Sequence, residues 1–419
     1  MKILKKIQAL SSLSLARDSV IVFAGSMIAN VFSYVYHLLM GRFLGPSGYG
    51  ELSSLLSLLY IFTVPLLVGQ TVIIKYISGF KAHGEIGQSK SLFLRVTKWC
   101  IVCSLIGIPL VVAVAPWVTT FLHLSSNSSW FMMYTLLVFS LLIAVAASIL
   151  QGYQWFIWYS ALTAGAVCIK VMLSIPFVQW GVFGVLSAAT LSSAFLYVLY
   201  IFPFIPILKA KSTPSQLTKQ DTFAFTVPTF LTILGVTSFY STDIILVRHY
   251  FNTNEAGLYA ALAILGKIIF YASSSVSLVL FPVLSEQTAK GRRPKKLITA
   301  GILGVLAVST VLTLVYFLFP ATVIGLLFGQ AYKDAGTLLG MFGVFLTIYS
   351  VGNVISMASL AIGKTSVWVY AIVCAFLQIC SIILFHRTIT AVISINIIVC
   401  ALYTVGVFGY YRFTYHEKV

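Results

Sequence analysis

Twelve apolar stretches, each near the roughly 20 residues one helix needs to cross a bilayer, follow one another with little between them. They run over about 18–40, 50–78, 92–115, 130–150, 159–178, 182–206, 222–248, 258–285, 298–319, 337–359, 366–385 and 389–411. The connections are too short for a water-soluble domain. Composition agrees. The chain is 60% hydrophobic and 8% charged, whereas a soluble domain is about a quarter charged, so 26 basic and 9 acidic residues among 419 cannot cover a water-facing surface. The expected fold is an all-α polytopic membrane protein, with about twelve transmembrane helices in two pseudo-symmetric six-helix lobes around a central cavity. The lobes are residues 1–206 and 222–419, joined by a polar linker over 207–221 that contains Pro214.

The net charge of +17 does not mean nucleic acid, because the bases sit in short clusters between apolar runs. That is the positive-inside pattern. The N-terminus and the loops near 79–98, 207–221 and 286–297, with Lys364, Arg412 and Lys418, hold nineteen bases, against four on the opposite side (Arg42, Arg248, Lys333 and Arg387). Both termini are therefore expected in the cytoplasm. Residues 1–15 set Ile3, Leu4, Ile7 and Leu10 against Lys2, Lys5 and Lys6, as in an interfacial helix. The first 19 residues are too polar for the apolar core of a signal peptide. The six cysteines lie in apolar stretches, so the Cys100–Cys103 pair reads as small core residues and not as a metal or redox site. Asn127-Ser128-Ser129 is a sequon by pattern only.

The halves repeat. Arg42 and Arg248 each end a span, 206 residues apart, and Gly48 and Gly257 open the next, 209 apart. Gly84 and Gly291 follow at 207, and Ser148–Gly152 mirrors Ser359–Gly363 at 211. Six helices per half return the chain to its starting side, so the repeats are expected to be parallel, related about the membrane normal.

A charge inside the bilayer costs about 2.5–3.5 kcal/mol on insertion scales, so each needs a reason. Lys170 lies nearest a helix midpoint, on a face with Thr163 and Ser174. Lys267, Tyr271 and Ser274 form a second stripe; Ser26, Asn30, Ser33, His37 and Gly41 a third; Thr229, Thr232, Tyr240 and Asp243 a fourth. Together they suggest a wet cavity between the lobes. Its cationic candidates are Lys170, Lys267, Arg42, Arg248 and Lys75, and its polar lining Asn30, His37, Ser174, Tyr240, Asp243, Tyr271 and Ser274. Plainer roles compete with these. Arg42, Arg248 and Lys75 fit snorkelling to an interface, Asp243 fits pairing with Arg248 or Lys267, and His37 fits a hydrogen-bonded helix residue. Two interior lysines against one acid favour an anionic passenger such as a diphosphate headgroup over a metal ion or a cationic drug. No nucleophile–base pair, Gly-rich phosphate loop, metal cluster or ATP-binding motif occurs, so neither an enzyme nor a cofactor is expected.

The segments GRFLGPSGYGELSSL, STDIILVRHYFNTNEAGLYAALAILGKI and LFPVLSE resemble the polysaccharide-type flippases of the multidrug/oligosaccharidyl-lipid/polysaccharide exporter superfamily, and the resemblance covers nearly the whole chain. It implies transfer of an undecaprenyl-diphosphate-linked oligosaccharide from the cytoplasmic to the outer leaflet by alternating access, for O-antigen, capsule or teichoic-type polymers. It also implies a multi-pass protein of a bacterial or archaeal plasma membrane, monomeric, with other glycan-assembly membrane proteins as potential partners. A cation-coupled multidrug exporter of the same superfamily is the alternative, with Asp243 as its ion site. A non-transporting scaffold of a glycan-assembly complex is the third reading, which polar stripes inside both lobes oppose.

Overall fold

The computed structural model describes residues 2–213, 220–289 and 295–416, with side chains apart from those of 2–20, 220–225, 274–283, 285–289, 295 and 414–416. The regular structure among them is helical throughout: α1 (Lys2–Ala82), α2 (Ile86–Phe121), α3 (Asn127–Gly152), α4 (Phe156–Phe177), α5 (Gly181–Ile201), α6 (Ile205–Lys209), α7 (Gln220–Phe239), α8 (Thr242–Tyr250), α9 (Thr253–Ala289), α10 (Lys295–Leu318), α11 (Pro320–Leu327), α12 (Gly336–Ala361), α13 (Val367–Phe385) and α14 (Ile389–His416).

Ten described segments are long and apolar enough to cross a bilayer. Two of these, Ile21–Ala82 with 62 residues and Phe156–Lys209 with 54, exceed twice the ~20 residues of one crossing, and both are interrupted near the middle. In α1 the break is Gly45, at φ 64 and ψ 179. Glycine takes that left-handed φ without a Cβ clash, and Pro46 behind it lacks the N–H that would continue the ladder. In the second segment a 3₁₀ turn, Val178–Trp180, precedes Gly181 at φ 64. Taken as double crossings, the two segments bring the count to the expected twelve.

Three expectations need correction. Residues 2–15 run directly into α1 and do not form a separate helix. The span expected over 222–248 is split at Tyr240–Ser241 into α7 and α8. Short polar side chains compete with the backbone there: Ser238 Oγ and Thr242 Oγ1 lie 2.7 Å apart across the break, and Asp243 Oδ1 accepts from the Ile244 N–H at 2.8 Å. Finally, Cys374 and Cys400 are buried but Cys103 is exposed and Cys100 half-buried, so the cysteines are not uniformly core residues.

The repeat is visible in the backbone. The non-glycine residues with left-handed φ are His123 (φ 48) and Gln154 (φ 62), among those described. Gly329 (φ 94) lies 206 residues beyond His123, and Gly363 (φ 79) lies 209 beyond Gln154. The counterpart of Gly363 is therefore Gln154 and not Gly152, which is still inside α3. Gly84 also has positive φ (72); its expected mate, Gly291, lies outside the described residues, as does Pro214 of the linker.

The chain packs as two compact units. One comprises Met1–Met40, Pro65–Thr119 and Ser125–Thr218; the other comprises Gly41–Val64, Thr120–Leu124 and Lys219–Val419. Unit 1 is built on α3 against α5 and α5 against α4, around Ile77, Phe80, Phe93, Ala146, Leu150 and Phe204. In unit 2, α12 is central, packed on α9, α10 and α14, while α13 packs on α7 and α14. Two stretches from the N-terminal half, 41–64 and 120–124, are part of unit 2.

Candidate functional site

In unit 1 the stripe on α4 places Lys170 half-buried, its Nζ 4.1 Å from the centroid of the Tyr36 ring. The ring's negative face holds the cation, and Tyr36 in turn meets the His37 ring edge-on at 5.3 Å. Thr163 Oγ1 lies 3.1 Å from Tyr200 Oη. One turn beyond Lys170, the fully buried Ser174 hydroxyl has no hydrogen-bond partner among the described residues. His37 is buried, whereas Asn30 and Lys75 are exposed on α1. Two grooves of unit 1, about 350 and 640 Å³, run between α2 and α3 along Leu105, Ile108, Trp99 and Tyr134 and contain none of the residues expected to bind substrate.

Unit 2 holds two polar groups close to the α7–α8 break. Lys267 of α9 is 5% exposed, and its Nζ lies 5.1 Å from the Tyr60 ring and 5.0 Å from the Tyr240 ring. Around Tyr240 stand Phe270 at 6.0 Å and Tyr349 at 5.8 Å. Tyr271 is 43% exposed and packs on Phe270 at 5.1 Å. The side chain of Ser274 lies outside the described residues.

Asp243, wholly buried, sits in the first turn of α8, where a carboxylate complements the positive helix end. Its Oδ2 accepts from Tyr259 Oη at 2.6 Å and from Asn396 Nδ2 at 3.2 Å. Asn396 Nδ2 also donates to Tyr259 Oη at 2.9 Å, and Asn396 Oδ1 accepts from Gln378 Nε2 at 2.8 Å. Gln378 Oε1 is left buried without a partner among the described residues. Lys267 acts on Asp243 through its charge. Across the break at 240–241, Tyr240 packs on Lys267 while Asp243 bonds Tyr259 of α9, the helix that carries Lys267, and Asn396 of α14.

The arginines make backbone contacts. Arg248 is 2% exposed, with Nε donating to Leu122 O and Nη2 to His123 O, both at 2.8 Å, and Nη1 to Ser47 O at 3.4 Å. Buried Glu51 acts on it electrostatically. Arg42 Nε donates to Leu327 O at 3.0 Å, and its Nη2 donates to Leu326 O. Arg248 is buried in its contacts and so does not snorkel, whereas Arg42 stays exposed beside its two carbonyls. Reading the sequence also missed Glu51, Gln378, Asn396, Tyr36 and Tyr60, though it had placed Tyr240, the third tyrosine over a lysine, on a polar stripe. The two amides carried a usable signal, since each is a strong polar group inside a long apolar run.

The fold is similar to that of solved membrane transporters, among them members of the MOP superfamily. An inward-facing multidrug resistance MATE family transporter of that superfamily superposes with a TM-score of 0.73 over 94% of this chain and 98% of its own, at 15% identity. The lipid II flippase MurJ, in an inward closed conformation, superposes at 0.64 over 94% and 87%, at 16% identity. The MATE multidrug transporter DinF-BH gives 0.67 over 94% of each chain at 12% identity. In sequence, an uncharacterised membrane protein of Methanocaldococcus jannaschii is 22% identical over 383 residues, 86% of this chain and 88% of that protein. No family model matches the chain.

Proposed function

We propose that the protein is a flippase that carries an isoprenoid-diphosphate-linked oligosaccharide from the cytoplasmic to the outer leaflet by alternating access, with both termini in the cytoplasm. The observation that carries this reading is the pair of lysines held inside the spans. Lys267 is buried between two tyrosine rings and Lys170 half-buried against one. Cations kept at a cost in the bilayer suit an anionic passenger, and the shared fold with a lipid II flippase supports the class. The test is reconstitution into vesicles with a fluorescent isoprenoid-diphosphate saccharide on one leaflet, scored by its appearance on the other. No protein-dependent transfer, together with efflux of a cationic dye, would overturn it.

That outcome would favour the second reading, a cation-coupled exporter. Its support is the Asp243–Tyr259–Asn396–Gln378 network and the unpartnered Gln378 Oε1, which together supply oxygen ligands of the kind hard cations take. The unit also buries Glu51, a second acid beside Asp243, which lessens the interior excess of positive charge inferred from sequence.

A further inference from the structure

The last carbonyls of a helix lack internal donors and carry the negative end of its dipole. Two such ends in unit 2 are each capped by an arginine. Arg248, at the end of α8, takes Leu122 O and His123 O just past the end of α2, and His249 Nδ1 adds a donor to Phe121 O at 2.9 Å while its ring stacks on Phe121 at 3.9 Å and 9°. Arg42, at the end of the first crossing in α1, takes Leu326 O and Leu327 O at the end of α11. These arginines are the repeat-related pair, 206 residues apart, and a left-handed residue lies in or just after each capped turn, His123 or Gly329, also 206 apart. The caps are thus reciprocal: an arginine of the N-terminal half holds a helix end of the C-terminal half, and the reverse.

Counting crossings along the sequence assigns all four ends to the membrane face opposite the N-terminus: α1 and α2 reach it at 41–48 and at 121, and α8 and α11 after an even number of further crossings. Between the caps runs the stretch Gly41–Val64, seated against α9 so closely that a methyl group on Gly257 would come within 1.8 Å of Pro46 O. Tyr332 Oη donates to Gly41 O at 2.8 Å.

We propose that Arg42 and Arg248 are the two halves of one latch. They hold 41–64 and 120–124 in unit 2, closing the face opposite the termini, and both caps release together when that face opens. The inference rests on the alternating-access reading above, but its test needs no substrate. If the two contacts are one latch, breaking either frees both stretches. If they are independent helix caps, each substitution loosens only its own contact.

The experiment is hydrogen–deuterium exchange on the full chain in lipid nanodiscs, comparing the unaltered protein with Arg42→Ala, Arg248→Ala and Gly257→Ala. Gly257→Ala wedges the stretch away from α9 with both arginines intact. The expected result is that all three variants speed exchange at least tenfold in 41–64, in 120–124 and in 320–329, while the cores of α12 and α14 stay protected. Acceleration confined to 41–48 and 320–329 in Arg42→Ala, and to 120–124 in Arg248→Ala, would overturn the latch. So would unchanged exchange. A rise that includes α12 and α14 would make the arginines supports of the whole fold and overturn it as well. A protein that fails to move any lipid-linked saccharide yet shows the concerted pattern would refute the proposed substrate and leave the latch standing.

Discussion

Replacing Lys267 with methionine keeps most of the side-chain length and removes the charge, which separates what the lysine does for the fold from what it does for transport. Its ammonium lies 5.1 and 5.0 Å from two tyrosine ring centroids, and a desolvated cation–π contact is worth about 2 kcal/mol, an exposed one about 0.5–1. Two contacts therefore return about 4 kcal/mol at the desolvated value and about 1–2 at the exposed one. Placing the charge in the span costs about 2.5–3.5 kcal/mol. The terms nearly cancel, so Lys267→Met should leave stability within about 1–2 kcal/mol of the parent. Loss of the Asp243 interaction is cushioned because that carboxylate keeps Tyr259, Asn396 and the Ile244 N–H. Transfer of an anionic headgroup should instead fall at least tenfold. The assay pairs a thermal midpoint in detergent with leaflet transfer in vesicles, and adds the Lys267→Met/Asp243→Asn double variant, which restores neutrality and should remain inactive. Full transfer by Lys267→Met would refute the reasoning, and so would a loss of stability beyond about 4 kcal/mol, which would make the lysine structural.

Lys170 has one ring contact and partial exposure, so Lys170→Met should lower transfer with less effect on stability than any change at Lys267; normal surface glycan in both single variants and in the double would remove the cationic-site argument. Tyr259→Phe deletes the 2.6 Å bond to Asp243, and a hydrogen bond to a charged group is worth about 1.5–3 kcal/mol; the thermal midpoint should fall accordingly, and an unchanged midpoint would mean that Asn396 alone suffices. The membrane potential is sufficient to drive transfer of a diphosphate headgroup. Two headgroup charges moving out of a negative interior release about 4–5 kcal/mol per 100 mV, at 2.3 kcal/mol per charge, so collapsing the potential should stop transfer; persistence without the potential but loss with one ion gradient would point to Asp243 as an ion site.

Much of this architecture was legible because lipid is an undemanding solvent to read. Twelve apolar runs correspond to ten described membrane-length segments, two of them long enough for two crossings each, and the repeat offsets near 206–209 reappear in the left-handed residues. Lys170 and Lys267 stood out because a charge in a span is rare. What the sequence hid depends on which helices become neighbours. Tyr36 and Tyr60 look like ordinary span residues until α4 and α9 bring lysines over them. Arg42 and Arg248 looked like interface residues because nothing local shows that a helix end from the other half of the chain waits for each. The break at Tyr240–Ser241 was hidden for another reason: Ser238, Ser241, Thr242 and Asp243 sit inside a run apolar enough to be taken as one helix.

The seams of α12 decide how unit 2 can deform. A methyl group at Gly340 would fall 2.4 Å from the Phe317 ring, and one at Gly352 would fall 2.6 Å from Thr404 Oγ1 and 2.8 Å from the Tyr403 ring. Contacts that tight on α10 and α14 are the helix-to-helix fit that small residues permit in lipid, and they act as keyways. A helix keyed at several heights on different neighbours cannot slide or roll by one residue without driving a ring into backbone, so gradual shear along α12 is blocked. Motion must then go to joints that carry no such keys, and the break between α7 and α8 is one. Half of that joint is itself fastened, because Gly235 of α7 abuts the Ala371 backbone of α13. The nine residues of α8, which end at Arg248, His249 and Tyr250, are left as the short lever through which a change at the Asp243 network would reach the membrane face beyond it.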